Sequence, residues 1–329
     1  MEKIHAVKTS LFGKGSIALL PDELKKRGLT RGLIVTDSFL YKSGAADRVG
    51  ACLLMAGLEY AVYYLVQPNP TVQVVEECLK AADALEVDVL VAVGGGSAID
   101  TAKAVSIVLA NGGHVKDYEG VGKSGKPGIP IVAVNTTAGT GSEVTSFYIV
   151  TNSDTHSKMC MVDTNCMVTI AVDDTDFMMT MPKGLTASTG MDAMTHAIEA
   201  YVSTANCDFT DPLALHAIKM IQRDLVGSYN GDMEKRDSMH NAQCLAGMAF
   251  SNALLGIVHS MAHKTGAAFA DYGAHIIHGA ANAMYLPKVI AFNAKDETAK
   301  KRYGEIADFM GLGGNSLDEK VDLLIAYLR

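Results

Sequence analysis

The run VDVLVAVGGGSAIDTAKAV (87–105) constrains this chain more than any other stretch. A β-rich segment runs into three glycines and then straight into a helical pattern. Gly94, Gly95 and Gly96 let the backbone turn tightly and come close to a ligand. The helix that follows offers free N–H groups and a positive dipole end, both suited to phosphate. The spacing is not GxGxxG, because Ile99 stands where the third glycine would be. Ser97 and Asp100 fit a capping box and are read as capping the helix and facing the ligand at once.

The same strand–turn–helix unit repeats along the first half. β-rich runs lie at 33–36, 60–66, 87–93 and 129–134, with helical patterns at 43–57, 71–85 and 97–110 between them. Alternation of this kind predicts βαβ units and a parallel sheet. Further β-like runs over 145–172 either finish the sheet or add a hairpin. After Pro182 the strand signals stop, and helical patterns follow at 183–203, 210–227, 234–270, 279–292 and 296–310. The expected class is therefore α/β plus all-α: a parallel-sheet domain over 1–181, whose glycine turn suits the phosphates of a dinucleotide, followed by a helical domain over 182–329. The final DEKVDLLIAYLR is amphipathic and lacks a Gly or Pro stop, so the natural protein is expected to continue past Arg329.

A net charge of −8 and a pI near 5.7 argue against nucleic acid as a partner. Six scattered cysteines without CxxC spacing suit a reduced cytoplasmic chain better than a disulfide framework. The N-terminus lacks an apolar signal core. Residues 241–258 carry no charge, but Asn241, Gln243, Ser251 and Asn252 interrupt them, and a buried core helix is expected rather than a membrane span.

A second loop, AVNTTAGTGSEVT (133–145), follows the next strand. Its hydroxyls and small residues can donate to phosphate or ribose at close range. Standing alone it reads equally well as a flexible strand-to-helix turn. Two such loops after adjacent strands converge on the carboxyl edge of a parallel sheet, where ligands of α/β folds bind. Asp37, at the end of the LIVT strand, can accept from ribose hydroxyls and repel a 2′-phosphate, or it can cap a helix.

GMDAMTHAIEAY (190–201) places Asp192 and His196 four apart on one helix. One reading is a solvated stripe of Asp192, Thr195, His196, Glu199 and Ser203. The other is two ligands of one metal ion. Five of the ten histidines lie between 240 and 278, with His259 and His263 four apart and His275 and His278 soon after. Burying several imidazoles without partners is costly. An ion shared by Asp192, His196, His259 and His278 would resolve that cost.

Taken in order, PNPT (68–71), GGGSAIDTAKA (94–104), TTAGTGSEVT (136–145), GMDAMTHAIEAY (190–201), GMAFSNALLGIVHSMAHKTGA (247–267) and HGAANAMYLP (278–287) resemble the iron-activated (group III) alcohol dehydrogenase family. The resemblance spans nearly the whole chain. It implies metal ligands at Asp192, His196, His259 and His278, in a cleft between the two domains. It implies cofactor contacts at Asp37, Asn69, Gly95, Gly96, Ser97, Asp100, Thr136, Thr137, Thr140, Thr145 and Lys158. His263 falls on the family's second histidine near the metal. Two departures stand out. AFADYGAHIIHG is longer than usual before the last ligand, so His275 competes with His278, and the chain stops earlier than most members.

The resemblance and the site chemistry together imply hydride transfer between NAD(H) and a primary alcohol or diol. A divalent metal, iron by preference and zinc as a second choice, acts as Lewis acid. Asp192 and His263 are the candidate catalytic residues, His263 as proton shuttle or, equally, as a packing histidine. The alternatives are a zinc-dependent glycerol dehydrogenase-like enzyme, a dehydroquinate synthase-like lyase, or a nucleotide-binding regulator without catalysis. The lyase would need basic residues for an acidic substrate, and the helical half has few: Lys183, Lys264 and Lys288. A regulator has no need of an open Lewis acid. The expected partners are a small alcohol or aldehyde and further copies of the chain, with no membrane.

Overall fold

The computed structural model describes residues 3–270 and 276–329. The chain divides into two compact units. One spans His5–Thr137 and Ser142–Thr180, and the other is chiefly Met181–Arg329 with the short segment Ala138–Gly141.

The first unit opens with β1 (Thr9–Phe12), α1 (Leu20–Lys26), β2 (Arg31–Asp37), α2 (Ser38–Lys42), α3 (Ala45–Ala56) and β3 (Glu59–Val66). It continues with α4 (Val72–Ala84), β4 (Val89–Gly94), α5 (Gly96–Asn111), β5 (Gly120–Val121), β6 (Ile131–Asn135), β7 (Phe147–Asn152), β8 (Ser157–Val162) and β9 (Ile170–Asp173). Six strands form one sheet in the order β1-β9-β6-β4-β2-β3. Every neighbouring pair in it is parallel. Every residue of β4 and β6 is buried. Strands covered on both faces read as continuous apolar runs rather than as alternation, as VLVAV and IVAV do. Leu24, Ile34, Leu53, Val91 and Val134 belong to the core beneath.

Because all six strands run the same way, the carboxyl ends of β2, β3, β4 and β6 share one edge. The 145–172 region does two things. β7 and β8 pair antiparallel in a separate three-stranded sheet with β5, while β9 joins the main sheet. The edge strand β1 was not expected. TSLF is only four residues long, too short for a period to show.

The second unit runs α6 (Lys183–Val202), α7 (Thr210–Tyr229), α8 (Met233–Ala253), α9 (Ile257–Ala270), α10 (His278–Asn293), α11 (Glu297–Met310) and α12 (Leu317–Leu328). The pattern over 234–270, expected as one helix, is two helices bent by 100°. Leu254 takes a left-handed φ of 67°, which no α-helix can carry through. Among the described residues no single helix is long and apolar enough to cross a membrane, and α8 with α9 passes that test only as the bent pair.

Candidate metal centre and nucleotide edge

Asp192 and His196 lie one turn apart on α6, His259 lies in the first turn of α9, and His278 opens α10. The solvated-stripe reading is overturned. Asp192, Thr195, His196 and Glu199 are 3%, 0%, 4% and 9% exposed. Thr195 bonds back to the Met191 carbonyl at 2.8 Å, so it needs no water. The stripe turns inward because α7, α8 and α10 pack around α6 and leave it no wet face.

Asp192 Oδ1 stands 3.9 Å from His196 Nε2, 3.6 Å from His259 Nε2 and 3.6 Å from His278 Nε2. One ligand atom each from Asp192, His196 and His259 lies within 4.8 Å of the others. These separations are too long for hydrogen bonds. They suit ligands of a common ion, since two donors each about 2.1 Å from it in tetrahedral array lie about 3.4 Å apart. One hard oxygen with three imidazole nitrogens fits a divalent iron or zinc ion. The His196 and His259 rings stack at 4.5 Å, and Phe250 closes over His196 at 4.2 Å.

The electrostatics agree. Burial pushes the Asp192 carboxyl up, but the imidazoles of His196, His278 and His259 outweigh it and hold the group well below its ordinary range. Burial drives His196 down to about 3. On His259 burial also acts downward, yet Asp192 and Glu199 outweigh it and lift the imidazole to about 9. Asp192, His196 and His259 are buried and His278 is partly exposed, so one carboxylate and three imidazoles share the site.

Two residues of this cluster escaped the sequence reading as functional groups. Glu199 Oε2 pairs with His259 Nδ1 at 2.6 Å. Asn282, fully buried one turn after His278, donates to Asp192 Oδ1 at 2.7 Å and lies 3.2 Å from His259 Nε2. Each follows a proposed ligand at helical spacing, three after His196 and four after His278, and that spacing was the only available signal. His263 lies one turn beyond His259, its ring stacked on His278 at 4.6 Å. His275, the expected competitor of His278, lies outside the described residues.

At the sheet edge the structure brings several expected residues together. Asp37 N-caps α2, with Oδ1 accepting from Phe39 N at 2.8 Å and Leu40 N at 2.9 Å. Lys158 Nζ donates to Asn69 Oδ1 at 2.7 Å. The two glycine-rich turns touch, since a Cβ on Gly95 would meet Thr137 Cγ2 at 2.8 Å. The Ser97–Asp100 capping box is not formed. The N-cap of α5 is Gly95, and no side chain caps it. Asp100 instead accepts from Ser142 Oγ at 2.6 Å and Ile149 N at 3.0 Å. Buried Lys103 adds bonds to the carbonyls of Thr145 and Phe147, both 2.8 Å. Asp100 and Lys103 thus pin the second loop to α5, a tertiary task that outcompetes local capping. Thr136 and Thr145 are buried with that loop, whereas Thr140 falls in the segment grouped with the helical unit.

A parallel sheet with glycine turns at its carboxyl edge, followed by helices that gather a carboxylate and imidazoles, defines a metal-dependent dehydrogenase. Residues 8–175 match the model of the iron-containing alcohol dehydrogenases, and 186–329 match the model of that family's C-terminal part. The chain belongs to the iron-containing alcohol dehydrogenase family. It is 45% identical over 322 residues to the NADPH-dependent butanol dehydrogenase of Clostridium saccharobutylicum, covering 97% of this chain and 80% of that protein. The crystal structure of 1,3-propanediol oxidoreductase superposes with a TM-score of 0.94 at 36% identity, covering 100% of this chain and 85% of that one. The sulfoacetaldehyde reductase of Bifidobacterium kashiwanohense, solved in complex with NAD+, superposes with a TM-score of 0.85 at 30% identity, with the same coverage. The chain is an oxidoreductase of the metal-dependent alcohol dehydrogenase and aldehyde reductase type, using a nicotinamide cofactor and a metal.

Proposed function

We propose that this enzyme reduces short or medium aldehydes to primary alcohols or diols with NADH, and runs the reverse reaction more slowly at neutral pH. The observation that carries the reading is the convergence of Asp192, His196, His259 and His278. These four residues hold the ion, for which iron is preferred and zinc acceptable. When bound, the ion supplies Lewis acidity to the substrate oxygen and the nicotinamide supplies or accepts hydride.

The protein's own groups do the rest. Asp192 is the one carboxylate among the four, so with three neutral imidazoles a divalent ion keeps a net charge near +1. Phe250 packs over His196, and Asp192, His196 and His259 are buried away from water. We assign to His263, whose ring stacks on His278 at 4.6 Å, the passing of a proton to and from the substrate oxygen.

The sheet unit holds the nucleotide. The uncapped start of α5 leaves N–H groups of Gly96 and Ser97 for the pyrophosphate. Asn69, Lys158 and the hydroxyls of Thr136, Thr137, Thr140 and Thr145 frame the rest. Asp37 uses Oδ1 for its cap, and Oδ2 is the acceptor for the adenosine ribose, where its charge disfavours a 2′-phosphate. Six scattered cysteines without CxxC spacing support a reduced, cytoplasmic setting.

The test is NADH oxidation by iron-loaded and zinc-loaded protein over a broad aldehyde panel. The reading expects turnover that disappears on chelation. Metal-loaded protein that oxidises NADH with no aldehyde on the panel would refute it.

A further inference from the structure

Chain direction changes abruptly between α8 and α9. α8 stops at Ala253, Leu254 turns left-handed, and α9 begins at Ile257. A helix starting inside a packed unit has N–H groups without intrahelical partners. Here a side chain from another helix accepts them. Glu199, on α6 two turns past Asp192, presents Oε1 to Val258 N at 2.7 Å and Oε2 to His259 N at 3.4 Å. Oε2 also lies 2.6 Å from His259 Nδ1. The approach needs Gly256, where a Cβ would stand 2.9 Å from Glu199 Oε1.

We infer that Glu199 is a positioning residue for the metal site, acting through His259. The inference rests on the metal reading above. One carboxylate sets both the start of α9 and the orientation of the imidazole in its first turn. Its oxygens accept, so the proton that the neutral, ligating imidazole keeps sits at Nδ1. Nε2, 3.6 Å from Asp192 Oδ1, then carries the lone pair toward the other ligands. A carboxylate behind a ligating imidazole fixes its tautomer and raises its basicity. The side chains are 7% and 3% exposed, so water cannot take over the role.

Glu199→Gln separates this role from simple capping. Glutamine has one acceptor oxygen and one NH2, while Val258 N–H and His259 Nδ1–H both need acceptors. If the NH2 faces Nδ1, the imidazole proton moves to Nε2 and points at the other ligands. Co2+ is titrated into metal-free parent, Glu199→Gln, His259→Ala and the double variant, following the visible d–d bands and the dissociation constant. The expected result is a 10–100-fold loss of Co2+ affinity in Glu199→Gln with altered bands, and no further loss when it is added to His259→Ala. Equal affinity and spectrum in parent and Glu199→Gln would overturn the inference and leave the metal reading standing. A full extra loss in the His259→Ala background would overturn it too, because Glu199 would then act on the fold and not through the imidazole. A parent that binds no Co2+ would overturn both. Should Glu199→Gln not fold, Glu199→Asp replaces it: both oxygens remain but recede by one methylene, and the same loss and the same non-additivity are expected.

Discussion

Gly279→Ala tests how closely the metal ligands depend on helix packing. Gly279 follows His278 at the start of α10, where that helix crosses α6. A Cβ there would lie 1.9 Å from the Ser188 carbonyl oxygen, 2.6 Å from its carbon and 3.3 Å from Asp192 Cβ. The two backbones are already in contact, so no flexible side chain can yield. An ordinary carbon–oxygen contact is about 3.3 Å, so α10 must retreat by about 1.4 Å. Overpacking of this kind costs about 1–3 kcal/mol. For a unit of this size the metal-free Tm should fall by about 2–12 °C. The functional consequence exceeds the stability cost, because ligand distances tolerate only about 0.2 Å. His278 withdraws from Asp192 while every ligand is still present in the sequence. Calorimetry of the metal-free protein and elemental analysis after metal loading measure the two effects. The expected result is a lowered Tm and a metal affinity at least about tenfold weaker, as for loss of a supporting residue. Parent-like Tm and full metal content would refute the packing argument, because the Ser188 contact would then have no force.

His196→Ala and His278→Ala should each empty the metal site and abolish turnover while NADH fluorescence still reports nucleotide binding, whereas His275→Ala should keep its metal; loss of metal from His275→Ala would reassign the fourth ligand. Asp37→Gly should relax the preference for NADH over NADPH, measured as the ratio of kcat/KM values, and lower stability by only a few tenths of a kcal/mol through the weakened cap; an unchanged ratio would make Asp37 a cap alone. His259 supplies a pH dependence. In the metal-free protein its folded value, lifted to about 9, exceeds the ordinary imidazole value, so its stabilising contribution is complete below about pH 6.5 and fades as pH rises through 9. Metal must displace that proton, so affinity should climb about tenfold per pH unit between pH 6.5 and 8.5. A flat profile in a competition titration would show that metal binding displaces no such proton from His259.

Local signals were enough for much of this protein. Apolar runs bounded by glycine and helical periods are written residue by residue. For that reason α3, α4, α5, α6 and α7 lie within about two residues of their expected limits, and the parallel sheet followed from their alternation. The i,i+4 spacing of Asp192 and His196 needed only one helix to put both on one face. Other features depend on groups distant in the chain. The charge-free stretch reads as one helix because nothing local forbids it. Leu254 turns left-handed only in a packed unit where Glu199, some sixty residues away, accepts the N–H groups of the new helix. Asp100 sits in a sound capping position, yet tertiary bonds to Ser142 and Ile149 claim both its oxygens. Glu199 itself was legible only as part of a stripe. Whether a polar stripe is wet or dry is decided by what packs against it, and here α7, α8 and α10 bury most of the stripe that the sequence alone would leave to solvent.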